Sequence, residues 1–216
     1  MDGTSLAGKI NRGLAVAAGR IGECSEIYRP TGSRDPVCLD HRVASMLVRL
    51  YPGDQAIAKA ARFGSTVWTG LFDRGFVQVG DYIVSRSGTF FVAALDILAP
   101  AVCILANRTV TISRTPEPAG PGENNYGGVR RSAAIEKFNN WPVSLIMMSE
   151  NRPNRIGLPG AGAAATTMML MPKLPDGVAG PWPSDLVSDD FGFSYVVGAV
   201  EQTSMGWRAA LKLPIG

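Results

Sequence analysis

At 216 residues the chain has room for one large domain or two small ones, and 46% hydrophobic content is enough for packed cores. A net charge of only +3 excludes a strong nucleic-acid or membrane-surface footprint, and no run of 18 apolar residues is long enough to span a bilayer. With 25 Gly and 15 Pro the composition suits a turn-rich β-protein; Cys24, Cys38 and Cys103 follow an N-terminus without an apolar leader, so no signal peptide and reduced thiols are expected.

Residues 4–22, TSLAGKINRGLAVAAGRIG, predict a helix. Leu6, Ile10, Leu14, Ala17 and Ile21 recur three or four residues apart and form one apolar stripe. Thr4 or Ser5 can cap the start, and Gly22 suits the position past the end. Lys9, Arg12 and Arg20 fall on another face. They read either as a solvated flank or as the rim of a helix that docks on a partner. A helix ahead of a barrel cannot bury its stripe inside that barrel. Leu6, Ile10, Leu14 and Ile21 are therefore interface candidates, together with the three basic residues.

Residues 23–64 are expected to form an irregular arm that wraps the domain or a neighbour. Tyr28-Arg29-Pro30-Thr31-Gly32 reads as an extended piece ending in a turn. VASMLVRLY at 43–51 fits a strand or a short helix. Pro52-Gly53-Asp54 is a turn, and Gln55 to Arg62 has helical composition.

Clear alternation begins at Ser65. STVWTGLFD predicts a strand, Arg74-Gly75 turns it, and Asp81–Ser85 and Thr89–Leu95 form a hairpin about Ser87-Gly88. Ala101–Ala106 and Thr109–Arg114 continue after Pro100. Residues 116–140, rich in Pro, Gly and Glu at their start, read as a linker. Trp141 then opens a second β-domain, with a Gly/Ala/Pro loop at 149–165, a strand at Thr166–Met171, turns from Pro172 to Pro183, and a last strand from Gly206 to Leu213.

An internal echo links the two halves. A step of 104 residues carries Asp81 to Asp185, Ile83 to Val187, Gly88 to Gly192, Phe91 to Tyr195 and Val92 to Val196. The repeat predicts a mainly β fold: an N-terminal helix (1–22), then two tandem small barrel- or sandwich-like domains (23–115 and 141–216) joined by the 116–140 linker. It also predicts positive φ at Gly88, Gly192 or both, because each sits in a tight hairpin turn.

Candidate chemistry is sparse. His41 is the one histidine, and Cys38-Leu39-Asp40-His41 has a Cys-x2-His spacing, but a structural zinc site wants four such ligands. Cys38 and His41 lie too close in sequence to be read as a nucleophile and its base. GLPGAGAAAT at 157–166 lacks the Gly-Lys-Ser/Thr end of a phosphate loop. Asp189 and Asp190 are adjacent, so on a strand they point to opposite faces. Trp68, Trp141, Trp182 and Trp207 are expected in the core. No catalytic, cofactor or metal residue is assigned, and an enzyme such as a wall hydrolase is the weakest reading.

The strand set GDYIV…GTFFVAA…PAVCILANRTVTISR resembles the small β-barrels of head–tail joining and neck proteins in tailed-bacteriophage virions. The layout is also similar to podophage-type virion proteins, through the helix, Tyr28-Arg29-Pro30, Tyr126-Gly127-Gly128, Trp141-Pro142, Leu158-Pro159-Gly160 and Gly206-Trp207-Arg208. VASMLVRLY has no match, and none of the motifs is catalytic. The resemblance implies a non-enzymatic, ring-forming component of the head–tail junction or tail body, an adaptor or neck protein. It implies a homo-oligomer in the virion, assembled in the host cytoplasm, with portal, neck, tail or fibre components as partners. No cofactor, membrane or sequence-specific nucleic acid is implied. Tyr126 joins the helix residues as an interface candidate. A tail-fibre, fibre-attachment or host-binding module is the alternative.

Overall fold

The computed structural model describes residues 3–53, 65–115, 134–148 and 166–213. A helix, α1 (Gly3–Ile21), precedes strands β1 (Glu23–Tyr28), β2 (Arg42–Pro52), β3 (Val67–Leu71), β4 (Tyr82–Ser85), β5 (Gly88–Ala94) and β6 (Ala101–Ala106). These six close into barrel 1 in the order β1-β2-β3-β6-β5-β4. Strands β7 (Arg108–Arg114), β8 (Ile135–Met148), β9 (Thr166–Met171), β10 (Leu186–Asp189), β11 (Ser194–Thr203) and β12 (Gly206–Lys212) close into barrel 2 in the order β10-β11-β12-β9-β8-β7. Counting β7 as the first strand of its set makes the two orders identical. The mainly β fold with two tandem barrels after a helix is therefore present, and the internal repeat is a repeat of topology. Closure removes the free edges that a small sheet would expose.

The domain limits differ from the expected ones. β7 belongs to barrel 2, not to a first domain ending at 115, and residues 135–140 of the expected linker are the start of β8. The Pro/Gly-rich stretch lies within the β7–β8 connection. The junction between barrels is a single residue, Asn107. Its N–H donates to the Val143 carbonyl (3.0 Å), its Nδ2 donates to the Leu145 carbonyl (2.9 Å), and its Oδ1 accepts from the Leu145 N–H (2.8 Å). The side-chain amide pairs with β8 as a peptide group would, so the chain passes between barrels without a spacer. The 23–64 region is also more regular than expected: Glu23–Tyr28 and Arg42–Pro52 are barrel strands, which settles VASMLVRLY as strand. The irregular part is 29–41. Gln55–Arg62, Tyr126 and the 149–165 loop lie outside the described residues.

The repeat step changes at the hairpin. Ile83 pairs with Phe90 and Tyr82 with Phe91, while Val187 pairs with Tyr195 and Leu186 with Val196. Phe91 thus corresponds to Val196 and not to Tyr195, because the turn after β10 is one residue longer. The β-bulges confirm the shift, at Val92/Ala94 and at Val197/Ala199. Gly88 (φ 133°) and Gly192 (φ 85°) both have positive φ, although they are not counterparts.

Period-2 alternation sorts each strand into an inner and an outer set. In barrel 1, Ile27, Ile83, Phe90, Val92 and Cys103 point inward to one buried cluster. The larger cluster contains the interior of barrel 2, including Val110, Ile112, Phe138, Val143, Val187, Val197 and Leu211. It extends onto the outside of barrel 1 through Tyr28, Tyr82, Phe91, Ala93 and Ile104. Trp141 bridges the two, edge-on to Tyr82 at 6.2 Å, and Tyr82 Oη donates to the Pro142 carbonyl at 2.7 Å. The 29–41 segment clasps the same seam: Trp141 Nε1 donates to the Ser33 carbonyl (2.8 Å) and Asn140 Nδ2 to Asp35 (2.6 Å). Trp141 is core, as expected, and Trp68 and Trp207 are partly buried against it or its neighbour. Trp182 is not core; 65% of it is exposed.

Candidate interaction surfaces

Each barrel is locked by the same buried ion pair. Arg29, one residue past β1, donates from Nε and Nη2 to the two oxygens of Asp81 at 2.9 and 2.8 Å. Arg114, at the end of β7, does the same to Asp185 at 2.7 and 2.9 Å. Both carboxylates are almost wholly buried, and each also accepts a backbone N–H from three residues earlier, Gln78 and Trp182. The guanidinium groups reach on to the carbonyls of Phe76 and Gly180. The hydrogen bonds to the aspartates hold both arginines above their ordinary range. The aspartates were the anchors of the sequence repeat. The arginines were missed, although Ile27-Tyr28-Arg29 and Ile112-Ser113-Arg114 share an Ile-x-Arg pattern.

The structure does bring Cys38 and His41 together, contrary to the expectation from their spacing. Sγ lies 3.2 Å from Nδ1, and the Asp35 carbonyl lies 3.1 Å from the same nitrogen. A carbonyl can only accept, so the tautomer with its hydrogen on Nδ1 satisfies this contact, and in that tautomer Nδ1 cannot take a proton from the thiol. Nε2 meets the Thr31 hydroxyl at 2.9 Å. The group ties the 29–41 segment to itself. Among the described residues no three His, Cys, Asp or Glu groups converge on a point that could hold a metal. Asp189 caps its own turn, accepting from the N–H groups of Phe191 and Phe193, and Asp190 sits 3.8 Å from Arg108.

Helix α1 packs on barrel 1 with a face rotated from the predicted stripe and overlapping it at Leu14. Asn11 bonds Asp73 through Nδ2 (3.2 Å) and accepts from the Arg74 N–H (3.0 Å), and Ala18 is buried. Gly22 follows directly; a Cβ there would meet the Val48 backbone at 3.0 Å. Small residues permit the close approach, so Ala7, Asn11, Leu14 and Ala18, spaced at helical intervals, face the barrel. Ile10 and Leu14 are partly buried, whereas Lys9, Arg12 and Arg20 are exposed, as are Leu6 (40%), Val16 (52%) and Ile21 (57%). Of the interface candidates, Leu14 is thus taken up by the chain's own barrel. Tyr126 lies outside the described residues.

Both barrels carry further exposed apolar groups, Val43, Leu47, Phe76, Ile97 and Leu98 in the first and Met147, Trp182, Phe191 and Phe193 in the second. Trp182 stands beside Arg114, with the guanidinium 6.0 Å from its ring, and Phe191 lies under Arg108 at 3.8 Å. At the seam, a cavity of about 230 Å³ is lined by Arg29, Gly80 and Asp81 from one side and Lys173 to Asp176 from the other. No helix among the described residues is long and apolar enough to cross a membrane. No protein-family model, curated protein or solved structure matches the chain. What its own geometry defines is a tandem six-stranded double barrel with a surface-docked, half-exposed amphipathic helix.

Proposed function

We propose that this chain is a non-enzymatic structural protein of a tailed-bacteriophage virion, a ring-forming component of the head–tail junction or tail body. The observation that carries the reading is the helix. Docked through its small-residue face, α1 leaves Leu6, Val16 and Ile21 exposed beside Lys9, Arg12 and Arg20. Leu6 and Val16 lie on the same exposed side as Lys9, Arg12 and Arg20, and exposed apolar side chains rimmed by charge support a surface that another molecule covers. Two barrels that share one apolar cluster and a one-residue junction suit a rigid subunit, which load-transmitting rings need. The virion location rests on the sequence resemblance.

The test is sedimentation of the purified protein with negative-stain imaging, followed by antibody labelling of particles. Rings in solution and label at the neck or tail body support the reading. Label on the fibres favours the fibre-attachment module instead. A monomer at every concentration together with unlabelled particles overturns it.

A further inference from the structure

The geometry points to Cys38 as a modification site: its thiol takes an adduct from a small disulfide, with the His41 ring as hydrogen-bond donor to the sulfur, and the adduct loosens the hold of the 29–41 segment on barrel 2.

The three cysteines stand in different surroundings. Cys103 is sealed inside barrel 1, where burial keeps its thiol protonated and out of reach of a reagent. Cys24 is exposed on the outside of β1, and its sulfur meets the Ser45 hydroxyl at 3.4 Å. Cys38 is partly exposed beside the exposed Leu39 and Asp40, and its sulfur lies 3.2 Å from His41 Nδ1. The ring is held on both sides, by the Asp35 carbonyl at 3.1 Å from Nδ1 and by the Thr31 hydroxyl at 2.9 Å from Nε2. In the tautomer that satisfies Asp35, the Nδ1–H group lies between the carbonyl and the sulfur. His41 is thus a donor to the sulfur and not a base for it. Such a donor steadies the negative charge on the sulfur once the thiol proton has passed to water, and the thiolate is the form that attacks.

The exchange balances without a further reagent. The Cys38 sulfur attacks one sulfur of the small disulfide and bonds to it. The disulfide's own S–S bond breaks, and its other half leaves as a thiolate that takes up a proton. The protein thiol is oxidised and the small disulfide is reduced.

The same segment holds the seam. The Ser33 carbonyl accepts from Trp141 Nε1 and from the Asn139 N–H, Asp35 Oδ2 accepts from Asn140 Nδ2, and Val37 packs on the larger apolar cluster. A peptide-sized group on the Cys38 sulfur has no room beside the His41 ring. The side chain must turn away, and the contacts that tie Cys38, His41 and Asp35 together are lost. Asp35 then meets Asn140 from a loosened segment.

The test treats the reduced full chain with glutathione disulfide and follows each cysteine by mass spectrometry over time. Cys38 should be modified on the order of tenfold faster than Cys24, although Cys24 is the more exposed. This comparison needs no variant. His41→Asn keeps an N–H group where Nδ1 stands, whereas His41→Gln carries its amide to the place of Nε2. With circular dichroism confirming that both fold, the Asn variant should keep the Cys38 rate and the Gln variant should fall to the rate of Cys24. The adduct should lower the melting temperature of the wild-type chain, and Cys38→Ser treated in the same way should melt unchanged. Modification of Cys24 as fast as Cys38, or equal Cys38 rates in the Asn and Gln variants, overturns the site. Fast modification of Cys38 with an unchanged melting temperature overturns its link to the seam.

Discussion

Barrel 1 and barrel 2 share a strand order and a buried Arg–Asp pair, yet at matching outward positions they carry different residues. Tyr82, Phe91, Ala93 and Ile104 of the first correspond to Leu186, Val196, Gly198 and Lys212 of the second. The inward positions stay apolar in both, because barrel closure demands a filled interior. The outward positions follow whatever covers them, and only barrel 1 has another barrel on that face. The turn before the fourth strand shows the same rule. Gly80 (φ 100°) and Ser184 (φ 74°) adopt the same left-handed conformation. At Gly80 a Cβ would lie 2.5 Å from the Lys173 carbonyl across the seam, so no side chain fits. Barrel 2 has a serine in the equivalent place.

The largest effect should separate the two outer faces. Tyr82→Ala removes a fully buried ring and the bond to the Pro142 carbonyl, and should lower stability by about 3–5 kcal/mol. Leu186→Ala at the matching position should cost less than about 1 kcal/mol in the monomer. Guanidinium unfolding of both variants measures the difference, and equal losses would refute the covered-versus-open distinction.

The ion pairs should behave alike. Asp81→Ala and Asp185→Ala each strand an arginine and a backbone N–H, at a cost of about 3 kcal/mol apiece. Since the barrels share an apolar cluster, each variant should shift one cooperative transition. Two separated transitions would mean that the barrels unfold independently.

A smaller contrast concerns the left-handed turns. Gly80→Ala meets both an unfavourable φ and the Lys173 carbonyl, and should destabilise by about 1–3 kcal/mol. Ser184→Gly should be neutral or slightly stabilising, because it relieves the same φ without a contact to lose. Thermal melts of the pair decide this.

The last effect depends on pH and belongs to barrel 1 alone, because Cys103 has Leu211 as its counterpart. Burial pushes the Cys103 thiol from 9.0 up to about 12. In the folded chain it stays protonated while the unfolded chain loses the proton. Its contribution is therefore complete below about pH 9 and is lost as pH rises toward 12, by up to about 1.4 kcal/mol per pH unit. Tyr82, also raised by burial, adds to the decline above pH 10. Cys103→Val should flatten the stability curve between pH 8 and 10; an unchanged slope would show that other groups set it.

The sequence by itself determined the fold class, the helix and the existence of two related barrels. Strand alternation and a repeated Asp–Gly hairpin are local patterns, and they survive in the order of the residues whatever the chain packs against. It also marked Gly88 and Gly192 as left-handed, since a tight turn imposes that on one or two residues. Tertiary structure decided what depends on distant partners. Arg29 finds Asp81 across 52 residues and Arg114 finds Asp185 across 71, and the Ile-x-Arg pattern that the two arginines share does not say where either partner lies. The Pro/Gly-rich stretch signalled poor burial, which a hairpin connection and a linker have in common, so only strand pairing could give β7 to barrel 2. The four tryptophans are alike in sequence, yet Trp141 is sealed in the seam and Trp182 stands in solvent. The helix stripe divided because Ala18 and Gly22 approach the barrel more closely than Leu6 or Ile21 can, and only the shape of the surface beneath them determines that.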